Sequence, residues 1–127
     1  MTDLKTYAAL ARAPFLLLPV TLVLCGAGAA AYEHAVYWAP TLLSLIGLVS
    51  IHIAVNALNE YADFRSGLDL ETTRTPFSGG TGTLPANPDK ARLALVTGVV
   101  AVVVTAAIGM YFVALRGWGL LPLGLLG

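Results

Sequence analysis

Three long runs without a formal charge constrain this chain more than any other feature. They extend from Ala13 to Tyr32, from Ala35 to Asn59 and from Leu93 to Leu115. An α-helix needs about 20 predominantly apolar residues to cross the hydrocarbon core of a bilayer, and each run meets that length. The composition, 57% hydrophobic and 11% charged, also favours a membrane protein. The sequence therefore predicts an all-α, multi-pass transmembrane helical bundle.

A fourth apolar run begins at Gly117 and reaches Gly127, the last residue of the sequence. It provides about half the length needed to span the hydrocarbon core. We therefore expect residues 1–127 to form the N-terminal portion of a single transmembrane domain, with three complete spans and the start of a fourth. A secretory signal is the alternative for the first run, but the apolar core of a signal is usually only about 7–15 residues.

The basic residues are divided unequally between the two sides that these spans define. Six of the seven lie before the first span or between the second and third, and one follows the third: Lys5, Arg12, Arg65, Arg74, Lys90, Arg92 and Arg116. Cytoplasmic loops carry the excess of Lys and Arg in membrane proteins. We therefore expect a multi-pass protein of the cell (inner) membrane, with the N-terminus and the 60–92 loop in the cytoplasm. The formal net charge is zero, so no nucleic-acid partner is indicated.

A polar stripe continues from this loop up the second predicted helix. Five of the seven acidic residues fall in the 60–92 loop. At 100° per residue, His52, Asn56, Asn59 and Asp63 fall within a sector of about 60°. An Asp at mid-membrane costs roughly 2.5–3.5 kcal/mol, so the stripe should face the bundle interior or a wet cavity. His52 is more often a packing hydrogen bonder than a ligand, and we leave it out of the site.

The residue types around the stripe suit a hard divalent ion and an anionic substrate. Glu60, Asp69 and Glu71 add carboxylates at the cytoplasmic end, and Mg²⁺ prefers one or two carboxylates together with water and phosphate oxygens. Arg65 and Arg74 can bind phosphate in a bidentate manner, because the guanidinium presents a planar fork of donors. On an extended helix, however, Arg65 projects from nearly the opposite face to Asp63, so Arg74 is the better candidate.

The 67–87 segment is rich in Gly, Thr, Pro and Ser, which predicts a loop. Gly67 predicts the end of the second helix, and Asn87 followed by Pro88 and Asp89 predicts the cap and first turn of the third. The glycines at 79, 80 and 82 offer positive φ and a close approach of backbone N–H groups to an anion. An ordinary loop is the equal alternative, because no Walker-type Lys follows them.

Four motifs then carry a resemblance over the whole chain. They are Asn56-Ala-Leu-Asn59-Glu60-Tyr61-Ala-Asp63, Ser66-Gly67-Leu68-Asp69, Ser78-Gly79-Gly80-Thr81-Gly82 and Arg12-Ala-Pro14-Phe15. Together they resemble the UbiA-type membrane prenyltransferases. Glu60 stands where the family pattern has Asp, and the spacing from Asp63 to Asp69 is longer than in that pattern. The longer spacing, followed by Ser-Gly-Gly-x-Gly, resembles the branch that prenylates 1,4-dihydroxy-2-naphthoate in menaquinone biosynthesis.

The resemblance implies a larger bundle in which two aspartate-rich motifs face each other across a cavity. Mg²⁺ then bridges the motifs to a polyprenyl diphosphate, and an aromatic small-molecule acceptor attacks the prenyl group. The roles implied by the resemblance are catalysis and metal binding for Asn59, Asp63 and Asp69, a further metal oxygen for Glu60, and diphosphate binding for Asn56, Arg74 and Arg65.

Only the first aspartate-rich motif is present in the 127 residues. The resemblance therefore implies that the second comes from a missing C-terminal half or from a partner chain. Two alternatives remain open from the residues alone. The stripe can line an ion path in a membrane cation-binding or transport module, or the chain can be a non-catalytic fragment.

Overall fold

The structure, a computed structural model, describes residues 3–33, 35–68, 75 and 80–126. Every regular element in these ranges is helical. Three helical segments are long and apolar enough to cross a membrane, Ala13–Glu33, Trp38–Ser66 and Pro88–Arg116. They coincide with the three uncharged runs, so the predicted all-α, multi-pass architecture is confirmed.

The first helix, α1, spans Asp3–Leu10, ahead of the first uncharged run. Thr6 and Leu10 are both 0% exposed, and their spacing of four residues places them on one helical face. Leu10 forms an apolar cluster with Leu84 and Ala94, and the partly buried Tyr61, Phe64 and Leu93 pack against it. Eight residues with scattered polar groups show little periodicity, so the sequence alone does not indicate how this helix packs.

The first span begins with a 3-10 turn, Ala13–Leu16, and continues as α2, Leu17–Glu33. Pro14 lies in the first turn, where its missing N–H needs no partner. The residue before this turn, Arg12, has the left-handed backbone angles φ 48° and ψ 58°. That conformation bends the chain between α1 and α2, so α1 can lie across the end of the bundle.

The second span is α3, Trp38–Ser66, with 29 residues. A helix of that size is about 43 Å long, which exceeds the hydrocarbon core of about 30 Å. At least one of its ends therefore lies outside the hydrocarbon core. Gly67 ends the helix as predicted, with φ 80° and its N–H donating to the Phe64 carbonyl oxygen at 3.3 Å. We call this end of the molecule, where α3 finishes, the loop end.

A short helix, α4 (Thr83–Ala86), and a 3-10 turn, Pro88–Lys90, lead into the third span, α5 (Ala91–Arg116). The start of α5 was predicted correctly, but the role of Asn87 was not. Its side-chain Nδ2 donates backwards to the Thr83 carbonyl oxygen at 3.0 Å. Asn87 therefore closes the C-terminus of α4 instead of capping the next helix.

The two longest helices, α3 and α5, pack along each other through small residues. The buried members are Gly47, Ala54 and Ala57 on α3, and Ala94, Gly98 and Ala101 on α5. A Cβ added at Gly98 would lie 2.5 Å from Cγ of Leu58. Small residues let membrane helices approach closely enough for extensive van der Waals contact. The α3–α5 contact is therefore the most extensive helix–helix contact in the described chain.

The outer faces of the spans are apolar. On α5 the side chains of Val100 and Val103 are 55% and 62% exposed, and on α3 the side chain of Leu42 is 58% exposed. Such an apolar exterior is suited to lipid, because water would leave this surface unfavourably hydrated. After α5, a 3-10 turn, Trp118–Leu120, and a helix, α6 (Leu121–Leu126), form the start of the fourth apolar run.

Candidate functional site

The polar stripe of α3 consists of His52, Asn56, Asn59 and Asp63. Asn59 is exposed and the other three are half-buried. The residues of α3 that pack against α5 are centred about 170° away around the helix axis, at 100° per residue. The stripe therefore lies on the side of α3 that α5 leaves uncovered. The turn between α1 and α2 contacts one member of the stripe, Asn56.

The depth of the stripe follows from the length of α3. If the span begins at Trp38, about 20 residues of helix cross the hydrocarbon core and end near Ala57. His52 then lies within the span, whereas Asn59 and Asp63 lie beyond it. This arrangement puts the carboxylate where it can be hydrated and the neutral groups where charge would be costly.

Asn56, predicted to bind diphosphate, has a structural contact. Its Nδ2 donates to the carbonyl oxygen of Ala11 at 3.2 Å, at the C-terminal end of α1. Carbonyls at the end of a helix lack intrahelical partners, so this bond satisfies an acceptor that would otherwise be unpaired. Asn56 thus joins α1 to α3, and its predicted contact with substrate stays a prediction.

Glu60, predicted to be a metal ligand, is only 1% exposed. Both of its carboxylate oxygens accept hydrogen bonds from Thr81. The Thr81 backbone N–H lies 3.0 Å from Oε2 and 3.3 Å from Oε1, and the Thr81 hydroxyl lies 2.6 Å from Oε1. The carboxylate of Glu60 therefore holds the glycine-rich segment against the loop end of α3.

The glycines on either side of Thr81 adopt the positive φ that the sequence predicted. Gly80 has φ 70° and Gly82 has φ 72°, values that residues other than glycine rarely adopt. Gly79, predicted with them, lies outside the described residues. Past Gly82 the chain enters α4, where the N–H of Thr83 donates to the Thr81 hydroxyl oxygen at 3.2 Å. The segment is thus an ordered turn in the described part of the loop.

Asp63 lies one turn beyond Glu60 on α3 and is half-buried. Arg65 is exposed in the last turn of the helix and projects about 160° away from Asp63 around the axis. Because α3 continues to Ser66, Arg65 is helical and projects away from Asp63, as the sequence predicted. Asp69 and Arg74 lie outside the described residues, so their positions stay predictions.

The described residues contain no group of three or more His, Cys, Asp or Glu side chains that could hold a metal ion. What they do place one helical turn apart are the amide oxygen of Asn59 and the carboxylate of Asp63. Such a set fits Mg²⁺, which binds through one or two carboxylates and keeps several water or phosphate oxygens. The described part of the site is therefore a partial ligand set for a hard cation.

Arg12 belongs to the Arg-Ala-Pro-Phe motif and to the basic residues before the first span, but the sequence did not indicate its backbone conformation. Among the described residues it is the one non-glycine with positive φ. Its Nε is buried and has no hydrogen-bond partner in the described part of the chain. Strained backbone and unpaired polar groups are retained where surrounding contacts over-determine them, often near functional sites. Arg12 follows Ala11, whose carbonyl oxygen contacts the stripe through Asn56.

These features define a multi-pass membrane protein with a stripe of amide and carboxylate groups at the loop end of its second span. No protein-family model, no curated protein and no solved structure matches the chain. The resemblance to prenyltransferases is therefore carried by the four motifs alone.

Proposed function

We propose that this chain supplies the first aspartate-rich motif of a Mg²⁺-dependent, UbiA-type membrane prenyltransferase. The observation that carries the proposal is the placement of Asn59 and Asp63 at the loop end of a membrane-spanning helix, beside an ordered glycine-rich turn at Gly80 and Gly82. The reaction is transfer of a polyprenyl group from polyprenyl diphosphate to an aromatic acceptor. The acceptor indicated by the motif spacing is 1,4-dihydroxy-2-naphthoate, of menaquinone biosynthesis.

The substrate's two-part chemistry supports this proposal. A polyprenyl diphosphate has a long apolar tail, which partitions into hydrocarbon, and a multiply charged head, which stays hydrated. On α3 the stripe runs from His52 inside the span to Asp63 beyond it. A substrate bound along this stripe would therefore have its head near the carboxylate and its tail towards the bilayer.

In the proposed mechanism Asn59 and Asp63 hold Mg²⁺, and Asp69 provides the next carboxylate. When bound, Mg²⁺ stabilises the negative charge that develops on the diphosphate as its bond to the prenyl carbon breaks. As the bond between the prenyl carbon and the diphosphate oxygen breaks, a ring carbon of the acceptor forms the new bond to that prenyl carbon, and its proton then passes to water or to the released diphosphate. Arg74 contacts the departing diphosphate in this scheme, whereas Arg65 remains exposed on the far side of α3.

The proposed enzyme also requires a second aspartate-rich motif that faces this one. The membrane is the cell (inner) membrane, and the loop end faces the cytoplasm, because six of the seven basic residues flank it. The competing function is a cation-binding or transport module. Such a module needs a charged group near mid-membrane, but the stripe carries its carboxylate, Asp63, beyond the span.

The test is cation and diphosphate binding by the 127-residue chain in lipid nanodiscs. Mn²⁺ replaces Mg²⁺ so that electron paramagnetic resonance can count the bound metal, with and without farnesyl diphosphate. We expect farnesyl diphosphate to tighten Mn²⁺ binding, and Asp63→Ala or Asp69→Ala to weaken it about tenfold or more, since each removes a charged ligand. Asp89→Ala is the matched control, because Asp89 has a side chain 74% exposed at the start of the third span.

Two results would contradict the proposal. Unchanged Mn²⁺ binding in Asp63→Ala would remove this residue from the site. Cation flux into liposomes without any effect of farnesyl diphosphate would favour the transport module. Transfer of the farnesyl group to 1,4-dihydroxy-2-naphthoate, measured in membranes that also contain a chain with the second motif, tests the acceptor.

A further inference from the structure

We propose that Glu60 is a positioning residue that holds the Gly80-Thr81-Gly82 turn against α3, and that it does not bind the metal. We call the pair of residues Glu60 and Thr81 the latch. The metal part of this inference rests on the proposed function, whereas the latch itself depends only on the described contacts. It changes the role that the motif resemblance implies for Glu60.

The first argument is occupancy. A carboxylate has about four sites for accepting hydrogen bonds, and two donors of Thr81 converge on Glu60, the backbone N–H shared between both oxygens and the hydroxyl on Oε1. The residue is 1% exposed, so little of its surface is open to a cation and its water shell. A metal at Glu60 would have to displace the N–H and hydroxyl of Thr81. Asn59 and Asp63, by contrast, are exposed and half-buried, and they leave room for a hydrated ion.

The second argument is the free energy of burial. An acidic side chain removed from water is destabilising unless donors replace its hydration. Thr81 provides a backbone donor and a side-chain donor to the same carboxylate, which makes it a specific partner for Glu60. The hydroxyl contact, at 2.6 Å, lies within the distance range of an O–H···O hydrogen bond.

The third argument is continuity with the packed end of the molecule. The Thr81 hydroxyl lies 2.6 Å from the Thr83 hydroxyl, at the first residue of α4. Leu84, the next residue, is 0% exposed and packs against Leu10 and Ala94. The turn is therefore fixed at two points, by the latch on one side and by the apolar cluster on the other.

The consequence is a fixed wall beside the stripe. Glu60 lies between Asn56 and Asp63 along α3, at the edge of their sector, so Thr81 is held beside the stripe and not over it. Gly80 and Gly82 give the turn its left-handed angles, and the latch gives it its position. In the proposed enzyme this arrangement keeps the glycine-rich backbone close to the diphosphate without using a metal ligand for that purpose.

Amide hydrogen exchange of the full 127-residue chain in nanodiscs tests the latch. Glu60→Gln removes the charge and Thr81→Val removes the hydroxyl, and we expect each to speed exchange in residues 80–86 about tenfold or more. The effects of the two changes should be less than additive in the double variant, because both act on the same contact between residues 60 and 81. Thr81→Ser keeps the hydroxyl and should exchange like the unchanged chain. Thr81 is exposed, so its variants do not depend on repacking a core.

Binding of Mn²⁺ separates positioning from metal ligation. A positioning role predicts that Glu60→Gln and Thr81→Val change the Mn²⁺ affinity equally, whether by little or by much. A loss of about tenfold in Glu60→Gln with no loss in Thr81→Val would make Glu60 a ligand and overturn the inference. Unchanged exchange in both variants would overturn it as well. If the unchanged chain bound no Mn²⁺, the proposed function would fail and the exchange experiment would still decide the latch.

Discussion

The α3–α5 contact and the loop end are held together by different kinds of interaction. Along α3 and α5 the helices meet through small residues, and Gly98 lies directly against Leu58. At the loop end, polar side chains join separate elements, with Glu60 on Thr81 and Asn56 on Ala11. The kind of interaction differs because the two regions lie in different surroundings, lipid and water. Inside lipid there is no hydrophobic force between helices, so close packing dominates, whereas beyond the membrane apolar burial and hydrogen bonds both contribute.

The largest loss of stability is expected from the apolar cluster of the loop end. Leu84→Ala removes a side chain that is 0% exposed between Leu10 and Ala94. Creation of such a cavity costs about 2–5 kcal/mol. Denaturant unfolding in detergent should show this loss, and Leu126→Ala, at an 87% exposed position, should show almost none. Equal effects in the two variants would mean that the loop end has no core of its own.

The next largest effect is expected at the α3–α5 contact. Gly98→Ala places a Cβ 2.5 Å from Cγ of Leu58, so the helices or the leucine must shift. Overpacking of this kind costs about 1–3 kcal/mol. Gly109→Ala on the same helix is the matched control, because a Cβ there meets nothing within 4 Å.

Thermal unfolding of the two glycine variants would measure the difference. The double variant Gly98→Ala with Leu58→Ala should recover part of the loss, because it restores space at the contact. Equal stability of Gly98→Ala and Gly109→Ala would show that α3 and α5 are further apart than the structure has them.

A smaller effect is expected at the joint between α1 and α3. Asn56→Ala removes the donor to the Ala11 carbonyl oxygen, and a hydrogen bond between neutral groups contributes about 0.5–1.5 kcal/mol. Amide exchange within residues 3–10 should accelerate, because α1 loses its link to α3. Asn56→Gln keeps the amide donor on a longer side chain, so it tests whether the length of the side chain matters for this hydrogen bond. Unchanged exchange in Asn56→Ala would limit the joint to the apolar contact of Leu10.

The smallest expected effect has the opposite sign. Arg12→Gly relieves a left-handed conformation that costs about 1–2 kcal/mol, but Gly also increases the entropy of the unfolded chain by about 0.5–1 kcal/mol. A small net gain in thermal stability should result, with Arg12→Ala as the control that keeps the strain. A net loss in Arg12→Gly would mean that the guanidinium makes a stabilising contact, for example with an anion.

The spans were predictable from sequence because length and lack of charge are sufficient to identify them. The end of α3 at Gly67 and the positive φ of Gly80 and Gly82 were also predictable, since only glycine adopts these angles without strain. These features depend on residues near in sequence. The α1 helix and the latch between Glu60 and Thr81 were not predictable, because they depend on elements that come together only in the folded chain.

The stripe also could be predicted only in part from the sequence. Its residues could be placed on one face of α3 from their spacing, and Arg65 could be placed on the other. Spacing could not show that Asn56 contacts Ala11 or that Glu60 is buried. A residue's position around a helix follows from periodicity, but what occupies its hydrogen-bonding atoms depends on the neighbouring elements.

The contact of Leu10 with Leu84 has a consequence for biosynthesis. The two residues lie about 70 positions apart in the chain, so α1 leaves the ribosome long before its packing partner exists. At about 5–20 residues per second, the delay amounts to roughly 4–15 s. During this interval α1 can contact α3 through Asn56, but it lacks its other packing partners, Leu84 and Ala94. The contacts of Leu10 with Leu84 and Ala94 therefore form only after residues 84–94 have been synthesised.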